Sequence, residues 1–196
     1  MIRVLIIDNS DSFTYNLVEV FRQLKICTVC VVYLEQLLPE QLNDFDAFVL
    51  SPGPGLPSER NAMNKIIKAI IKSNKPLLGV CLGHQAIVEY YSGSIMQLDR
   101  IIHGESSQIT FSDDIIFNDL PKQIDVGRYH SWTVDSATMP SFLKITSKTN
   151  NGIIMSFRHT ELNVRGVQFH PESILTIHGS KILSNWLAFC MPANQY

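Results

Sequence analysis

The sequence carries almost no excess charge of either sign. Sixteen basic side chains stand against eighteen acidic ones in 196 residues, which gives a formal net charge of −2. Proteins that bind the phosphate backbone of nucleic acids usually present a broad positive field, and this composition does not supply one. We therefore expect no nucleic acid among the ligands. A chain of this length fits one compact domain that covers residues 1–196.

Long apolar runs are also missing. The first run ends at Asp8 after a single basic residue, so it is too short for a secretory signal or a membrane-spanning helix, and no later run approaches a spanning length. Without an export signal, the four cysteines are expected to be free thiols in a reducing compartment. These absences predict a cytoplasmic protein with no contact to a membrane.

The glycine patterns of nucleotide-binding loops, G-x-G-x-x-G and G-x-x-x-x-G-K-[ST], do not occur. The loop after the first strand has no glycine, and Asp8 and Asp11 there would repel a phosphate. Cys27 and Cys30 have the spacing of some metal ligands, but they lie in a β-branched run, where residues three apart face opposite sides of a strand. The sequence thus supports neither a flavin, nor a dinucleotide, nor a metal site.

Strand-like and helix-like segments alternate through the first half of the chain. Short apolar runs predict the strands, and apolar residues at helical spacing predict the helices. In chain order these segments are residues 4–7, 13–24, 27–33, 47–50, 62–71 and 76–80. Such alternation with short loops predicts an α/β fold, a mostly parallel central sheet with helices on both faces.

The second half has a different pattern. Turn signals separate short strand-like runs, at residues 108–111, 143–146, 153–157 and 164–169. These runs predict antiparallel strands added to the sheet in the C-terminal half. Apolar residues in the final segment, 174–190, predict a terminal helix that packs back onto the domain.

A candidate nucleophile lies where an apolar strand gives way to a helix. Gly79 and Gly83 flank Cys81 and allow a sharp turn, from which the thiol projects at the C-terminal edge of the sheet. Free N–H groups at the helix start, beginning with Leu82, favour a thiolate and can hold an oxyanion. The plain alternative is that Cys81 is a small buried side chain.

A base and its orienting group follow a later strand-like run. His170 ends that run, and Glu172 comes two residues later, after a proline. A cysteine nucleophile needs a base for its proton, and the base needs a third group to fix its tautomer. Cys81, His170 and Glu172 supply all three roles. The His-x-Glu pattern alone is weak evidence for catalysis, and it becomes stronger in combination with the turn at Cys81.

A proline- and glycine-rich loop follows the apolar run at 47–50. Its glycines, Gly53 and Gly55, permit unusual backbone angles, and its prolines fix others, so that N–H groups can point at a developing charge. The carboxyl ends of parallel strands gather ligands, which predicts that this loop lies near Cys81. An ordinary Pro-Gly loop explains the segment equally well.

Five ordered segments together resemble the class I (triad) glutamine amidotransferases, in particular the small subunits of anthranilate synthase and aminodeoxychorismate synthase. The segments are residues 8–16, 51–55, 79–85, 128–131 and 166–173. The resemblance spans essentially the whole chain and implies a flavodoxin-like three-layer sandwich. It implies Cys81 as nucleophile, His170 as base and Glu172 as its partner. The positions implied for glutamine and the oxyanion are Gly53, Gly55, Leu82, Gln85, His130 and Ser131.

The resemblance also implies the substrate and the partner. Glutamine would be hydrolysed, and the ammonia would pass to a chorismate-binding synthase subunit in a heteromeric complex. No cofactor or metal ion is implied in this subunit. We favour anthranilate synthesis, in tryptophan biosynthesis, over the alternative of aminodeoxychorismate synthesis, in folate biosynthesis.

Two other interpretations of the function stay open. The same triad serves cysteine peptidases and γ-glutamyl hydrolases, and the alternating half of the chain also fits a non-catalytic flavodoxin-like binding module.

The sequence departs from the family pattern at three positions. Ser10 stands where many relatives carry an aromatic residue, Glu105 where lysine is frequent and Trp132 where leucine is common. These departures can change the pocket or the partner interface, and none touches the triad.

Overall fold

The computed structural model describes residues 1–191, in which nine strands and four helices follow one another. They are β1 (Ile2–Asp8), α1 (Thr14–Gln23), β2 (Cys27–Tyr33), β3 (Ala47–Leu50), α2 (Met63–Lys72), β4 (Leu77–Val80), α3 (Leu82–Tyr90), β5 (Ile95–Phe111), β6 (Gln123–Val134), β7 (Leu143–Thr149), β8 (Ile154–His159), β9 (Val164–Val167) and α4 (Gly179–Cys190).

The nine strands form one mixed sheet in the order β2-β1-β3-β4-β9-β8-β7-β5-β6. The strands from β2 to β9 in this order pair in parallel, and β8, β7, β5 and β6 extend the sheet with antiparallel pairs. The antiparallel strands thus come from the C-terminal half, as predicted. Because β9 returns to pair with β4, the two halves of the sequence meet in the middle of the sheet.

Each face of the parallel half is covered by two helices. Along β1, Val4 and Ile6 belong to a buried cluster that includes side chains of α1 and α4. Leu5 and Ile7 point the other way, into a second cluster with α2 and α3. Successive strand residues face opposite sides of a sheet, so a strand that is apolar at every position must be buried on both faces.

The long ribbon of β5 and β6 was not predicted correctly. Residues 108–111 are only the end of a 17-residue strand, and the 12-residue strand β6 was not predicted as a strand. Much of β5 is exposed and polar, and its pairing with β6 is interrupted by register shifts between Gln97 and Ile102 and between His103 and Glu105. These features remove the period-two apolar alternation by which a half-buried strand is predicted.

The start of the terminal helix was also predicted wrongly. α4 begins at Gly179, and Ile174 and Ile177, which were expected to pack onto the domain, are 93% and 81% exposed. Trp186 is fully buried as expected, whereas Phe189 is 49% exposed and lies 4.8 Å from the Arg165 guanidinium carbon. Apolar spacing alone could not show that residues 174–178 form a loop.

Two glycines allow α3 to pack directly on the sheet. A Cβ atom at Gly79 would overlap the carbonyl group of Gly83, and one at Gly83 would lie 2.5 Å from the carbonyl oxygen of Leu50. Both neighbours are backbone atoms, which cannot move without moving a strand or the helix. The first turn of α3 therefore depends on the absence of side chains at these positions.

We predict that Gly79→Ala lowers the free energy of unfolding by more than about 3 kcal/mol, because α3 must move off β4 to accommodate the methyl group. Urea denaturation measures this loss. Gly152→Ala is the control, since Gly152 has a φ of +85° but no atom within 4 Å of an added Cβ; its expected cost is about 1 kcal/mol. Equal losses in the two variants would contradict the close-packing account.

Candidate active site

Cys81 lies in the turn between β4 and α3. Its φ of 52° and ψ of −100° are unusual for a residue with a Cβ, and such strain persists only where the surroundings enforce it. Here the Cys81 N–H donates to the Val167 carbonyl (2.8 Å), and the Cys81 carbonyl accepts from the Gln85 N–H (3.1 Å). The strand-turn-helix geometry predicted from the flanking glycines is therefore present.

His170 and Glu172 follow β9, which is the neighbour of β4 in the sheet. His170 Nδ1 and Glu172 Oε1 are 2.6 Å apart, and both side chains are almost completely buried. A carboxylate can only accept at this bond, so Nδ1 carries the proton. Nε2, on the other side of the ring, makes no hydrogen bond with any of the described residues. Nε2 is thus the ring atom left to exchange a proton.

Opposed effects set the pKa of His170. Burial by itself lowers the pKa, but the Cys81 thiolate and, after it, Glu172 raise it well above its ordinary value of 6.5. An imidazolium between two negative groups is stabilised in its charged form. The charged form of His170 is therefore favoured at this place.

Two aromatic rings pack around the His170 imidazole. The ring of Phe13 lies 5.5 Å from it and the ring of Tyr129 lies 5.0 Å from it, both with their planes steeply inclined. The Tyr129 hydroxyl is 3.0 Å from Ser173 Oγ, which ties this ring to the loop after His170. These contacts limit rotation of the imidazole and keep it 2% exposed.

A cavity of about 170 Å³ opens beside Cys81. It is lined by Gly53, Pro54, Gly55, Cys81, Leu82, Gln85, Tyr129, His130, Ser131 and Trp132. All six positions predicted for glutamine and oxyanion binding are in this lining. The fold thus gathers residues from three distant segments around one thiol.

The glycine-rich wall of the cavity is held by the N-terminal segment. A Cβ at Gly53 would lie 2.5 Å from Leu82 Cδ2 and 2.7 Å from Asn9 Cβ, so only glycine fits between them. Gly55 has a φ of +75°. Asn9, fully buried, donates from Nδ2 to the Ser51 carbonyl at 2.7 Å. The segment after β1 therefore stabilises the conformation of this loop.

His130 is buried and neutral. Burial is the largest cause that lowers its pKa, to about 4, and the Arg128 charge adds to the effect. Nδ1 donates to the Trp132 carbonyl (2.8 Å), and Nε2 accepts from Arg128 Nε (3.0 Å). Because both ring nitrogens are engaged within the protein, His130 shapes the cavity wall and offers no free nitrogen to a ligand.

The three departures from the family pattern lie in different surroundings. Trp132 lines the cavity, and its carbonyl accepts from both His130 and Gln85. Glu105 forms a largely exposed ion pair with Arg100, 2.6 Å apart, and Ser10 is exposed with a φ of 64°. Only Trp132 therefore touches the pocket.

Two buried polar residues near the site were not predicted. Gln168 is fully buried and its Nε2 lies 3.6 Å from the Cys81 sulfur, and Arg128 holds His130. Both lie inside segments that carried the family resemblance. The signal that could have found Gln168 is the pairing of β4 with β9, which sequence spacing alone does not give.

Metal-binding and membrane-spanning features can be judged over residues 1–191. In this part of the chain, no three His, Cys, Asp or Glu side chains cluster as ligands would, and no helix is long and apolar enough to cross a membrane. Cys27 is buried and Cys30 is exposed, which agrees with their expected positions on opposite sides of a strand.

Residues 5–189 match the family model for glutamine amidotransferase class-I. The chain belongs to the class I glutamine amidotransferases. The predicted family and the predicted enzyme class are thereby confirmed.

Curated relatives and solved structures agree with this membership. The chain is 40% identical over 191 residues to anthranilate synthase component 2 of Mycobacterium tuberculosis, covering 96% of this chain and 82% of that one. It is 42% identical over 191 residues to the protein of the same name from Pseudomonas aeruginosa, covering 94% of both. A Thermoplasma acidophilum structure, provisionally named as part of a GMP synthase, superimposes with a TM-score of 0.88 at 24% identity and covers 97% of this chain and 94% of that one. The α/β sandwich predicted from the sequence is therefore confirmed.

His84, in the first turn of α3, is a third buried histidine. Its ring lies 4.8 Å from the Phe157 ring, and neither ring nitrogen has a hydrogen-bond partner among the described residues. Burial lowers the pKa of His84 from 6.5 to about 3. The folded protein therefore holds His84 neutral at pH values where the unfolded chain takes up a proton.

We predict that this burial makes folding acid-sensitive. Below pH 6.5 His84 takes up a proton in the unfolded chain, whereas in the folded protein it stays neutral down to about pH 3. The contribution of His84 to the free energy of unfolding therefore falls by about 1.4 kcal/mol per pH unit across that window and is constant above it. His84→Asn should flatten the decline of the urea midpoint between pH 6.5 and 4, whereas His103→Asn, at an exposed position, should not. Equal slopes in the wild type and His84→Asn would contradict this assignment.

Proposed function

We propose that this chain is the glutamine-hydrolysing subunit of an anthranilate synthase and that Cys81, His170 and Glu172 are its catalytic residues. The observation that carries the proposal is the geometry around Cys81. A buried His170–Glu172 pair at 2.6 Å follows the strand next to the strained Cys81, which opens on a cavity lined by the expected binding positions. Nucleophile, base and orienting group are thus available at one site.

In the first half-reaction, the Cys81 thiolate attacks the side-chain amide carbon of glutamine. The negative oxygen that forms would be held by the N–H groups of Leu82, at the start of α3, and Gly55, across the cavity. His170 then gives its proton from Nε2 to the departing nitrogen, which leaves as ammonia. A γ-glutamyl thioester remains on Cys81.

In the second half-reaction, water attacks the thioester carbonyl. His170 is now neutral and takes a proton from the water, and the thiolate of Cys81 leaves as glutamate forms. Glu172 stabilises the imidazolium of His170 in both halves and keeps the proton on Nδ1. The cycle needs only glutamine and water, so we expect no metal ion or organic cofactor in this subunit.

Ammonia released into neutral water is mostly protonated and loses its nucleophilicity, so the product is useful only if it passes directly to an acceptor enzyme. The relatives named component 2 belong to two-component synthases by their name, and we propose a chorismate-binding partner in a heteromeric complex here as well. Exposed apolar side chains near the triad, those of Tyr15, Ile174 and Ile177, support a docking surface there.

The names of the relatives favour anthranilate over aminodeoxychorismate as the product of that partner. We also propose a cytoplasmic location, because free thiols are typical of proteins in a reducing compartment.

The nucleophile can be tested with 6-diazo-5-oxo-L-norleucine, a glutamine analogue that alkylates the attacking thiolate. We predict one adduct per chain, on the peptide that contains Cys81, formed more slowly when glutamine is present. Cys81→Ser should give no adduct and no glutamate from glutamine. Labelling of Cys27, Cys30 or Cys190 instead, or glutaminase activity in Cys81→Ser with the synthase partner added, would overturn the proposal.

The orienting role of Glu172 can be tested by Glu172→Gln. The amide carries no charge, so it no longer stabilises the imidazolium of His170, and kcat should fall at least about 100-fold with little change in KM. Glu161→Gln, an exposed site, is the matched control. Steady-state glutaminase assays with the partner present measure kcat and KM of the two variants. A kcat of Glu172→Gln within a few fold of that of Glu161→Gln would rule out this role.

A further inference from the structure

We propose that Gln168 is a positioning residue for this reaction and that its side-chain amide donates a fixed hydrogen bond to the Cys81 sulfur, holding it as a thiolate. This inference rests on the proposed function of Cys81 and deepens it. Gln168 belongs neither to the triad nor to the cavity lining.

The contact follows from the register of the sheet. Val80 of β4 pairs with Val167 of β9, so the residues that come next, Cys81 and Gln168, lie beside each other. Gln168 is fully buried, its backbone N–H donates to the Met155 carbonyl at 2.8 Å, and its Nε2 is 3.6 Å from the Cys81 sulfur. That separation is normal for an N–H donor and the larger sulfur atom.

The orientation of the Gln168 amide is determined by the Trp132 carbonyl, through the side chain of Gln85. The Trp132 carbonyl can only accept, so the Gln85 atom that lies 2.9 Å from it must be the nitrogen, Nε2. Gln85 Nε2 also lies 3.1 Å from a side-chain atom of Gln168. Because Nε2 donates, that atom of Gln168 must be the amide oxygen, Oε1. The nitrogen of Gln168 is left to face Cys81, and the donor direction is fixed.

A donor in this place discriminates between the two states of the sulfur. A neutral thiol is a weak acceptor, whereas a thiolate is charged and accepts strongly, so the bond stabilises the reactive form. The bond weakens when the sulfur becomes a neutral thioester, so its benefit lies in raising the fraction of Cys81 that is the reactive thiolate, and it does not assist the later acylation step. Gln168 thus acts on Cys81 without touching the substrate.

A merely structural role for Gln168 predicts something else. In that case Gln168 would serve to hold Gln85 through its oxygen, and the sulfur contact would be incidental. Gln168→Glu keeps the acceptor for Gln85 and removes the donor to the sulfur, but its negative charge also raises the pKa of a nearby thiol, so an upward shift in Gln168→Met, which adds no charge, decides between the two roles. Gln168→Met removes both bonds at similar volume.

The test is the pH dependence of Cys81 alkylation by iodoacetamide, read by mass spectrometry of the Cys81 peptide in the full chain. Losing one hydrogen bond to a thiolate should move the midpoint of the profile about one pH unit upward in Gln168→Met. Gln168→Glu should move it further, because it adds negative charge. Thr146→Val, which loses a buried hydrogen bond to Ser156 at a position outside the site, is the control and should follow the wild type.

Wild-type profiles in both Gln168 variants, with the unfolding midpoints showing that they are folded, would overturn the proposal. If Gln168→Met does not fold, that failure also counts against the proposal, since it indicates a structural role; a wild-type profile in a folded Gln168→Glu would overturn the proposal by itself. The assay contains no glutamine. A failure of the proposed function would instead appear as glutaminase activity in Cys81→Ser, so the two failures are distinguishable.

Discussion

The parallel pairing of β4 with β9 is the constraint on which the site depends. β4 ends at Val80 and β9 at Val167, and these residues are partners in the register. The turn at Cys81 follows one strand and the segment with His170 follows the other, although nearly ninety residues separate them in the sequence. A shift of this register by one residue would turn every side chain of the shifted strand to the other face and separate Cys81 from both Gln168 and His170.

Around this pairing, burial and fixed hydrogen bonds determine which groups carry charge. His170, next to Cys81 and Glu172, has a raised pKa, whereas His84 and His130, buried without a carboxylate partner, have pKa values of about 3 and about 4. Two of these three histidines are thus neutral, whereas the charged form of the third is favoured. Only the one held by a carboxylate is suited to move protons near neutral pH.

The sequence was most informative where chemistry and local backbone coincide. The flanking glycines and the apolar strand before Cys81 predicted the turn, and the buried parallel strands were predicted because they are apolar at consecutive positions. The β5–β6 ribbon was not predicted, because its exposed polar residues and register shifts remove the alternation of apolar and polar residues that indicates a strand. Gln168 stood within a recognised segment, but its contact with Cys81 depends on strand pairing, which is a property of the fold. Ile174 and Ile177 have the apolar spacing of a packed helix but are exposed in the fold.

The central claim is that glutamine is hydrolysed through a covalent intermediate on Cys81. Its most direct test is rapid acid quenching of the enzyme, with its synthase partner, during turnover of glutamine, followed by mass analysis of the Cys81 peptide. The account predicts a γ-glutamyl thioester on Cys81 that disappears when glutamine is exhausted. Continued release of glutamate with no adduct on that peptide, or with an adduct on another side chain, would contradict it.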